Sequence, residues 1–409
     1  MKRIQLFYSF LAALGPIYDS AEGLSPSSFL NRRTLIQAIG GGVSSAILSG
    51  EPIKPVFADE GQPADDSAVF QVYKVIPDSS EALSPSLQAL DASTFLQRIS
   101  PNQGGALWLG EHHNSLRDHK MQAKLLRDLF VERAKAGTNV AVGLEQVQMQ
   151  FQPVLDEFIA GKLTADELKL MVQWDKRWVW PFEGYQEIFL TAQELGIPLI
   201  ALNVNSEDLA LVDQGGLPAL PRQTLLNYVS DPAGFAQFAS SAQFRTYVDY
   251  VIRPSYDLHL ALGLLKNTMS GEKLDQQMSF RNFYSGRILW DETMANRAFA
   301  WTDANPGGLL IGLVGADHVK FSNGIPGRYA RMATSSSNAA SISVMLNPTL
   351  IDSKPAGSVG MFSGSTASSP DMITLQLRYL KDGVNDETLV GLPSSTGGVL
   401  PLADYLVFG

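Results

Sequence analysis

Four near-continuous apolar runs, each ending in polar or ionisable residues, constrain this chain more than any other feature. Ala106 to Leu109 leads into Gly110-Glu111-His112-His113. Val140 to Leu144 leads into Glu145-Gln146. Ile197 to Leu202 leads into Asn203, and Leu309 to Val314 leads into Gly315-Ala316-Asp317-His318. Runs of this length with no polar alternation fit strands buried on both faces of a parallel sheet. Helical patterns lie between them, as crossover connections require. The expected fold is therefore α/β, a mostly parallel central sheet flanked by helices. In such sheets ligands bind beyond the carboxyl ends of the strands, so Glu111, His113, Glu145, Asn203 and His318 are expected to converge there.

The helical patterns exceed what a simple crossover needs. Residues of about 150–185 and 221–301 predict a small helical subdomain over the carboxyl edge of the strands. Asp118 to Lys135 reads as a helix with His119 in its first turn. Thr164-Ala165-Asp166-Glu167 has the form of a capping box. After Arg331, Ser341 to Leu346, Met372 to Arg378 and Asp404 to Phe408 read as strands, expected to finish the sheet as an antiparallel edge. The Gly/Ser-rich stretches Ser353 to Ser369 and Gly391 to Gly398 read as loops.

The first 58 residues carry a different pattern. Lys2-Arg3 precede a short apolar run, Ile4 to Leu14, and Asn31-Arg32-Arg33 precede a second, Ala38 to Leu48. Val56-Phe57-Ala58 supplies small residues for a cut before Asp59. Neither run is long enough to span a bilayer as a stable helix. Residues 1–30 are read as a first targeting segment and 31–58 as a twin-arginine-like export signal. The tandem arrangement predicts delivery to a plastid thylakoid lumen, with a bacterial periplasm or other exported compartment as the alternative. Residues 59–93 read as a linker or arm with a short strand near Val69 to Val75, and 94–409 as one domain. No later segment predicts stable membrane insertion.

Residues 59–409 carry 26 basic and 38 acidic side chains, a net charge of −12. So acidic a body argues against nucleic-acid binding, which depends on neutralising phosphates. The chain has no cysteine. Disulfides, thiolate metal sites, iron–sulfur clusters and thioether attachment of a cofactor are excluded.

Candidate chemistry follows from residue type. Glu111 with His113 offers a carboxylate beside an imidazole, either a base pair or a metal site with its orienting partner; a turn at Gly110 is expected to aim both inward. Glu145 is costly to bury unpaired, and a salt bridge to lysine or arginine is the simplest way to pair it. His113, Glu145 and His318 form a set suited to a divalent metal, although simple hydrogen bonding would also satisfy histidines at strand ends. Trp174 and Trp178, one helical turn apart, read as core or as the wall of a flat-ligand slot. Tyr185 and Tyr284 are candidate iron ligands, since tyrosinate binds iron. Asp291 and Glu292 read as the opening of a helix, where negative charge suits the dipole.

Seven ordered segments then resemble one family. They are Gly110-Glu111-x-His113 with His119; Leu144-Glu145; Phe151 to Asp156; Trp174-Asp175-x-Arg177-Trp178; Pro198 to Asn203; Leu289 to Ala295; and His318-Val319 with Gly324-Ile325-Pro326. In this order the chain resembles the ChaN-like haem-binding lipoprotein family, related to erythromycin-esterase and Tiki-type proteins. The resemblance covers about residues 95–333. It implies non-covalent haem or tetrapyrrole binding, held between two protomers, with His113, His119, Trp178, Tyr185, Tyr284 and His318 as candidate cofactor residues. Relatives that hydrolyse substrates imply a catalytic set of Glu111, His113, Glu145 and His318, with a divalent metal as the alternative cofactor. A scaffold role without catalysis, as a lumenal assembly factor, is the third expectation. The sequence departs from the family pattern at Asn114-Ser115, Gln146, Asp317 and the expanded stretch Arg253 to Lys273. The absence of a lipobox cysteine leads to the expectation of no lipid anchor.

Overall fold

The computed structural model describes residues 70–78, 85–268, 271–334, 340–349, 352, 374–380 and 397–409. The two N-terminal targeting segments and most of the two Gly/Ser-rich stretches lie outside the described residues.

Eight strands form one sheet. In chain order they are β1 (Gln71–Ile76), β2 (Ser86–Leu90), β3 (Gly105–Glu111), β4 (Val140–Gln148), β5 (Leu199–Asn203), β6 (Leu309–Gly315), β7 (Ala340–Leu346) and, after a separate hairpin of β8 (Gln376–Leu380) with β9 (Gly397–Pro401), β10 (Tyr405–Phe408). Their spatial order is β2-β1-β10-β7-β3-β6-β4-β5. The six strands from β10 to β5 run parallel, and β1 and β2 add antiparallel to the β10 edge. The α/β expectation holds, and the four apolar runs are β3, β4, β5 and β6, buried along their length.

The edge is not where the C-terminal strands were expected. β7 and β10 are parallel and lie inside the sheet, and β8 is not in it. The antiparallel edge comes instead from β1 and β2, within the stretch read as a linker. Only pairing partners decide this: β1 and β10 alternate or mix polar and apolar residues much as an edge or an inner strand end can.

The chain steps from β3 to β4 to β5 in one direction, then returns through β6 to β7 in the other. Right-handed crossovers place helices on opposite faces when the direction reverses. The outward steps use α2 (Leu116–Lys135) and α6 (Gln186–Leu195), which pack together. The return uses α12 (Phe280–Ala304) and α14 (Ile325–Ala333), which pack together and against the sheet. Numbering follows chain order: α1 (Ala92–Ile99) precedes α2; α3 (Gln152–Ile159), α4 (Ala165–Met171) and α5 (Trp174–Arg177) precede α6. Short helices α7 (Ser206–Gly215), α8 (Arg222–Tyr228), α9 (Pro232–Ser240), α10 (Ala242–Tyr247) and α11 (Arg253–Ala261) lead into α12, and α13 (Ala316–Val319) is one turn after β6. Helices α3, α4 and α5 lie in the first stretch expected to be a helical insertion, and α8 to α12 lie in the second. Thr164 and Glu167 form the capping box of α4. No helix among the described residues is long and apolar enough to cross a membrane.

Candidate functional site

All five histidines of the chain are buried, and four of the five follow the carboxyl ends of β3 and β6 or open α2. Glu111 is the last residue of β3 and His113 follows two positions on, so period-2 alternation turns both to the same side. No turn at Gly110 is needed. That glycine serves a different end: a Cβ there would lie 2.3 Å from Val319 Cγ2, so its absence lets α13 pack on β3.

The Glu111 carboxylate collects five side chains, among them Gln146, whose amide donates to Oε1 at 3.3 Å. His113 Nδ1 lies 2.7 Å from Oε1, Tyr185 donates its hydroxyl to the same oxygen at 2.7 Å, and Gln122 donates to Oε2 at 2.7 Å. His119 Nε2 lies 3.6 Å away. Burial opposes the charge, but His119 and His113 outweigh it and hold the carboxyl well below its ordinary range. Tyr185 moves the other way. Burial, then the Glu111 charge, keeps its phenol neutral far above the ordinary value.

Glu145 is reached by an irregularity. β4 and β5 stay in register to Leu144 and Ala201, and the next pair is Gln148 with Asn203, so four steps on β4 match two on β5. The extra residues bulge and bring Glu145 between two histidines. Its Oε1 is 3.3 Å from His318 Nε2 and 3.9 Å from His113 Nε2, while its Oε2 accepts from the Gly315 amide at 2.6 Å. The bond expected from lysine or arginine is supplied by histidine and backbone instead. Burial raises the Glu145 pKa, but His318 and His113 prevail and lower it. Asn203 does converge, donating to the Glu145 carbonyl at 2.7 Å.

His318 rides on α13. Its Nδ1 pairs with Asp291 Oδ1, so the ring bridges two carboxylates. Burial and the nearby Arg287 oppose its charge, yet Glu145 and Asp291 raise its pKa. Asp291 is depressed in turn: Arg287 and His318 overcome burial. Asp291 and Glu292 do not open a helix; they lie in the middle of α12, which continues from Phe280 to Ala304. Asp291 faces the site, and Glu292 faces away to Arg328 at 2.9 Å.

The inner chain is thus Glu111–His113–Glu145–His318–Asp291, with Tyr185, His119 and Gln122 around its first carboxylate. Trp178 walls it, edge-on to His113 at 5.0 Å between ring centres. Trp174 is core, packed among Phe182, Tyr185 and Phe189. Tyr284 stands apart on α12, half-buried beside Phe244 and Phe280. Among the described residues no group of three or more His, Asp or Glu side chains is arranged to hold a metal ion. His113, Glu145 and His318 do meet, with the Glu145 Oε1 lying between the two imidazoles.

A second polar chain was missed. His112 points away from His113, with Nδ1 2.9 Å from Asp118 Oδ2 and Nε2 2.9 Å from Asp352 Oδ2. Lys320 Nζ lies 3.2 Å from Asp352 Oδ1 and 2.6 Å from Asp317 Oδ1. Asn347 donates to Asp118 Oδ1 at 2.7 Å. Burial disfavours the His112 charge, but Asp352 and Asp118 raise its pKa well above the ordinary value. Strict alternation past the end of β3 was the one signal that could have found it: if His113 faces in, His112 faces out and needs its own acid.

A doubly wound α/β sheet with a buried carboxylate–imidazole chain at the carboxyl ends of β3, β4 and β6 defines the class of protein. Residues 102–328, more than half of the chain, match the family described as "Haem-binding uptake, Tiki superfamily, ChaN", and the chain belongs to that family. Among solved structures it is similar to ChaN of Campylobacter jejuni, described with cofacial haem binding: 17% identity, 70% of this chain and 94% of that one covered, TM-score 0.47. It is also similar to a variant of the erythromycin esterase EreC in an open conformation, with 15% identity, 82% and 97% coverage and a TM-score of 0.35. A protein from Bacillus cereus matches at 11% identity, 82% and 94% coverage and a TM-score of 0.33. No curated protein matches the chain.

Proposed function

We propose that this protein binds haem or a related tetrapyrrole non-covalently through Tyr284. The family supports the ligand class, and one observation picks the residue. Of the six candidate cofactor residues, His113, His119, Trp178, Tyr185 and His318 are buried among carboxylates or rings, and only Tyr284 is half-exposed. An iron ligand must present its donor atom to a slot that admits a flat macrocycle, and the inner chain leaves none of its donors so placed. Tyr284 fits better. It lies 6.1 Å from the half-buried Phe280 and 6.5 Å from the fully buried Phe244 between ring centres, so its own ring edge is the part open to a flat ligand. Burial raises its phenol pKa above the ordinary value, and the Arg328 cation offsets this only in part; bound ferric iron would supply the charge that the phenolate needs. When bound, haem would supply a Lewis-acidic iron at this phenol. Half-exposure on one side also suits a second protomer that covers the open face.

Titration of the purified protein with haemin, read at the Soret band, tests this. Tyr284→Phe is expected to weaken binding at least about tenfold, the loss of one iron ligand at roughly 1.4 kcal/mol or more, whereas Tyr185→Phe leaves it near wild type. Sedimentation of the haemin-loaded protein is expected to show a dimer. Equal titration curves for wild type and Tyr284→Phe would exclude this phenol as the ligand.

A second reading rests on the inner chain. Two imidazoles, each backed by a carboxylate, flank Glu145, an arrangement suited to general acid–base hydrolysis. It needs substrate to reach Glu145 past Trp178. Residence in a thylakoid lumen or another exported compartment is part of the same proposal and rests on the tandem pattern of residues 1–58.

A further inference from the structure

The inner and outer polar chains share their backbone. His113 faces Glu111 and Glu145, and His112, the residue before it, faces Asp118 and Asp352. His318 faces Glu145 and Asp291, and Asp317, the residue before it, faces Lys320. The outer chain alternates in sign as Asp317, Lys320, Asp352, His112, Asp118, and each member is nine-tenths or more buried. Buried charges persist only when paired, so each link holds its neighbours to one geometry.

Asp352 is the link that closes the chain. Its two carboxylate oxygens divide between the loops: Oδ2 takes His112, after β3, and Oδ1 takes Lys320, after β6. Asp352 is itself fixed, for the Thr349 amide and hydroxyl donate to Oδ2 at 2.8 and 2.9 Å. Thr349 follows β7, and Asn347 beside it bonds to Asp118 and accepts from the Gly409 amide at 3.1 Å. The loop between β6 and α14 needs such a hold. Phe321 and Ser322 both adopt positive φ, at 56° and 54°, conformations that L-residues keep only where their surroundings impose them. A Cβ on Gly324 would lie 2.1 Å from the His318 carbonyl oxygen, so the loop is tight as well as strained. Asn347, Thr349 and Asp352 all lie beyond residue 328, where the family match ends.

We infer that Asp352 is a positioning residue: by pairing with His112 and Lys320 it fixes the two loops that aim His113 and His318 at Glu145. A C-terminal region outside the family-matched span thereby sets the geometry of the inner site, whatever ligand that site or Tyr284 takes.

The test is a histidine-selective 15N correlation spectrum of the purified protein at fixed pH, with the five imidazoles assigned through single His→Gln variants. Asp352→Asn keeps shape and removes charge. The expected result is displacement of the His112, His113 and His318 signals by more than their line widths, with Asp352→Glu returning all three toward wild type. Movement of His112 alone would overturn the inference, as would shifts that Asp352→Glu fails to reverse. If Asp352→Asn loses the dispersed spectrum of a folded protein, Thr349→Val decides by the same criterion. It keeps every charge and removes one bond that holds Asp352, so unmoved His113 and His318 signals in that variant would refute the role.

Discussion

At the scale of single residues, neighbours in sequence face opposite chemistry. Glu111 and His113 turn inward, and His112 between them turns outward to Asp118 and Asp352. Glu111, His113, Glu145 and His318 were legible because each follows an apolar run that cannot end in a charge without a partner. Asp118, Lys320 and Asp352 were not, because they satisfy a histidine whose direction depends on where β3 stops pairing. The second reading of function belongs at this scale. If Glu145 acts in proton transfer, Glu145→Gln and His113→Asn should each remove at least about a hundredfold of any ester hydrolysis measured with a p-nitrophenyl ester, the usual minimum for a positioned acid or base. Wild-type protein no faster than buffer, or variants as active as wild type, would retire that reading.

At the scale of elements, helix α12 carries three jobs on one 25-residue rod. Tyr284 faces Phe244, Asp291 faces His318, and Glu292 receives Arg328 and Arg331 from α14. The sequence reading opened a helix at Asp291, since acids favour a first turn. In the structure tertiary pairing outweighs that preference, and both acids lie mid-helix with buried cations or an imidazole for partners. Arg328 is caged by Phe235, Phe238 and Phe244, with its guanidinium 4.9 to 5.4 Å from the ring centres. Glu292→Gln leaves that buried cation without its counter-charge and is expected to cost about 3–5 kcal/mol, read from urea unfolding. Replacing Glu292 and Arg328 together by Met should cost less than Glu292→Gln alone. A larger loss in the double variant would show that the pair, and not the stranded charge, carries the stability.

At the scale of the whole molecule, buried ionisable groups set a dependence on pH. His318 and His112 have raised pKa values in the fold. Their contribution is present in full below about pH 6.5, the ordinary histidine value, and is lost as pH rises through the folded values. Glu111, Glu145, Asp291 and Asp352 are depressed. Their contribution is present above about pH 4 and is lost as pH falls through the folded values. Thermal melts from pH 3 to 9 should therefore peak on the mildly acidic side and decline toward both ends. A melting temperature that climbs steadily from pH 6 to 9 would contradict this assignment of charge.

The sequence by itself determined the α/β class, four of the six parallel strands and the residues at their carboxyl ends, because burial on both faces leaves a continuous apolar run that needs no partner to be recognised. It also carried the family resemblance, borne by short segments in fixed order. Only the tertiary structure decided which strands pair, that β7 and β10 lie inside the sheet while β1 and β2 form its antiparallel edge, and that Glu145 enters the site on a bulge. It alone joined Asp352 to His112 across 240 positions. Local pattern records whether a residue is to be buried; which charge meets it there is a property of the folded arrangement.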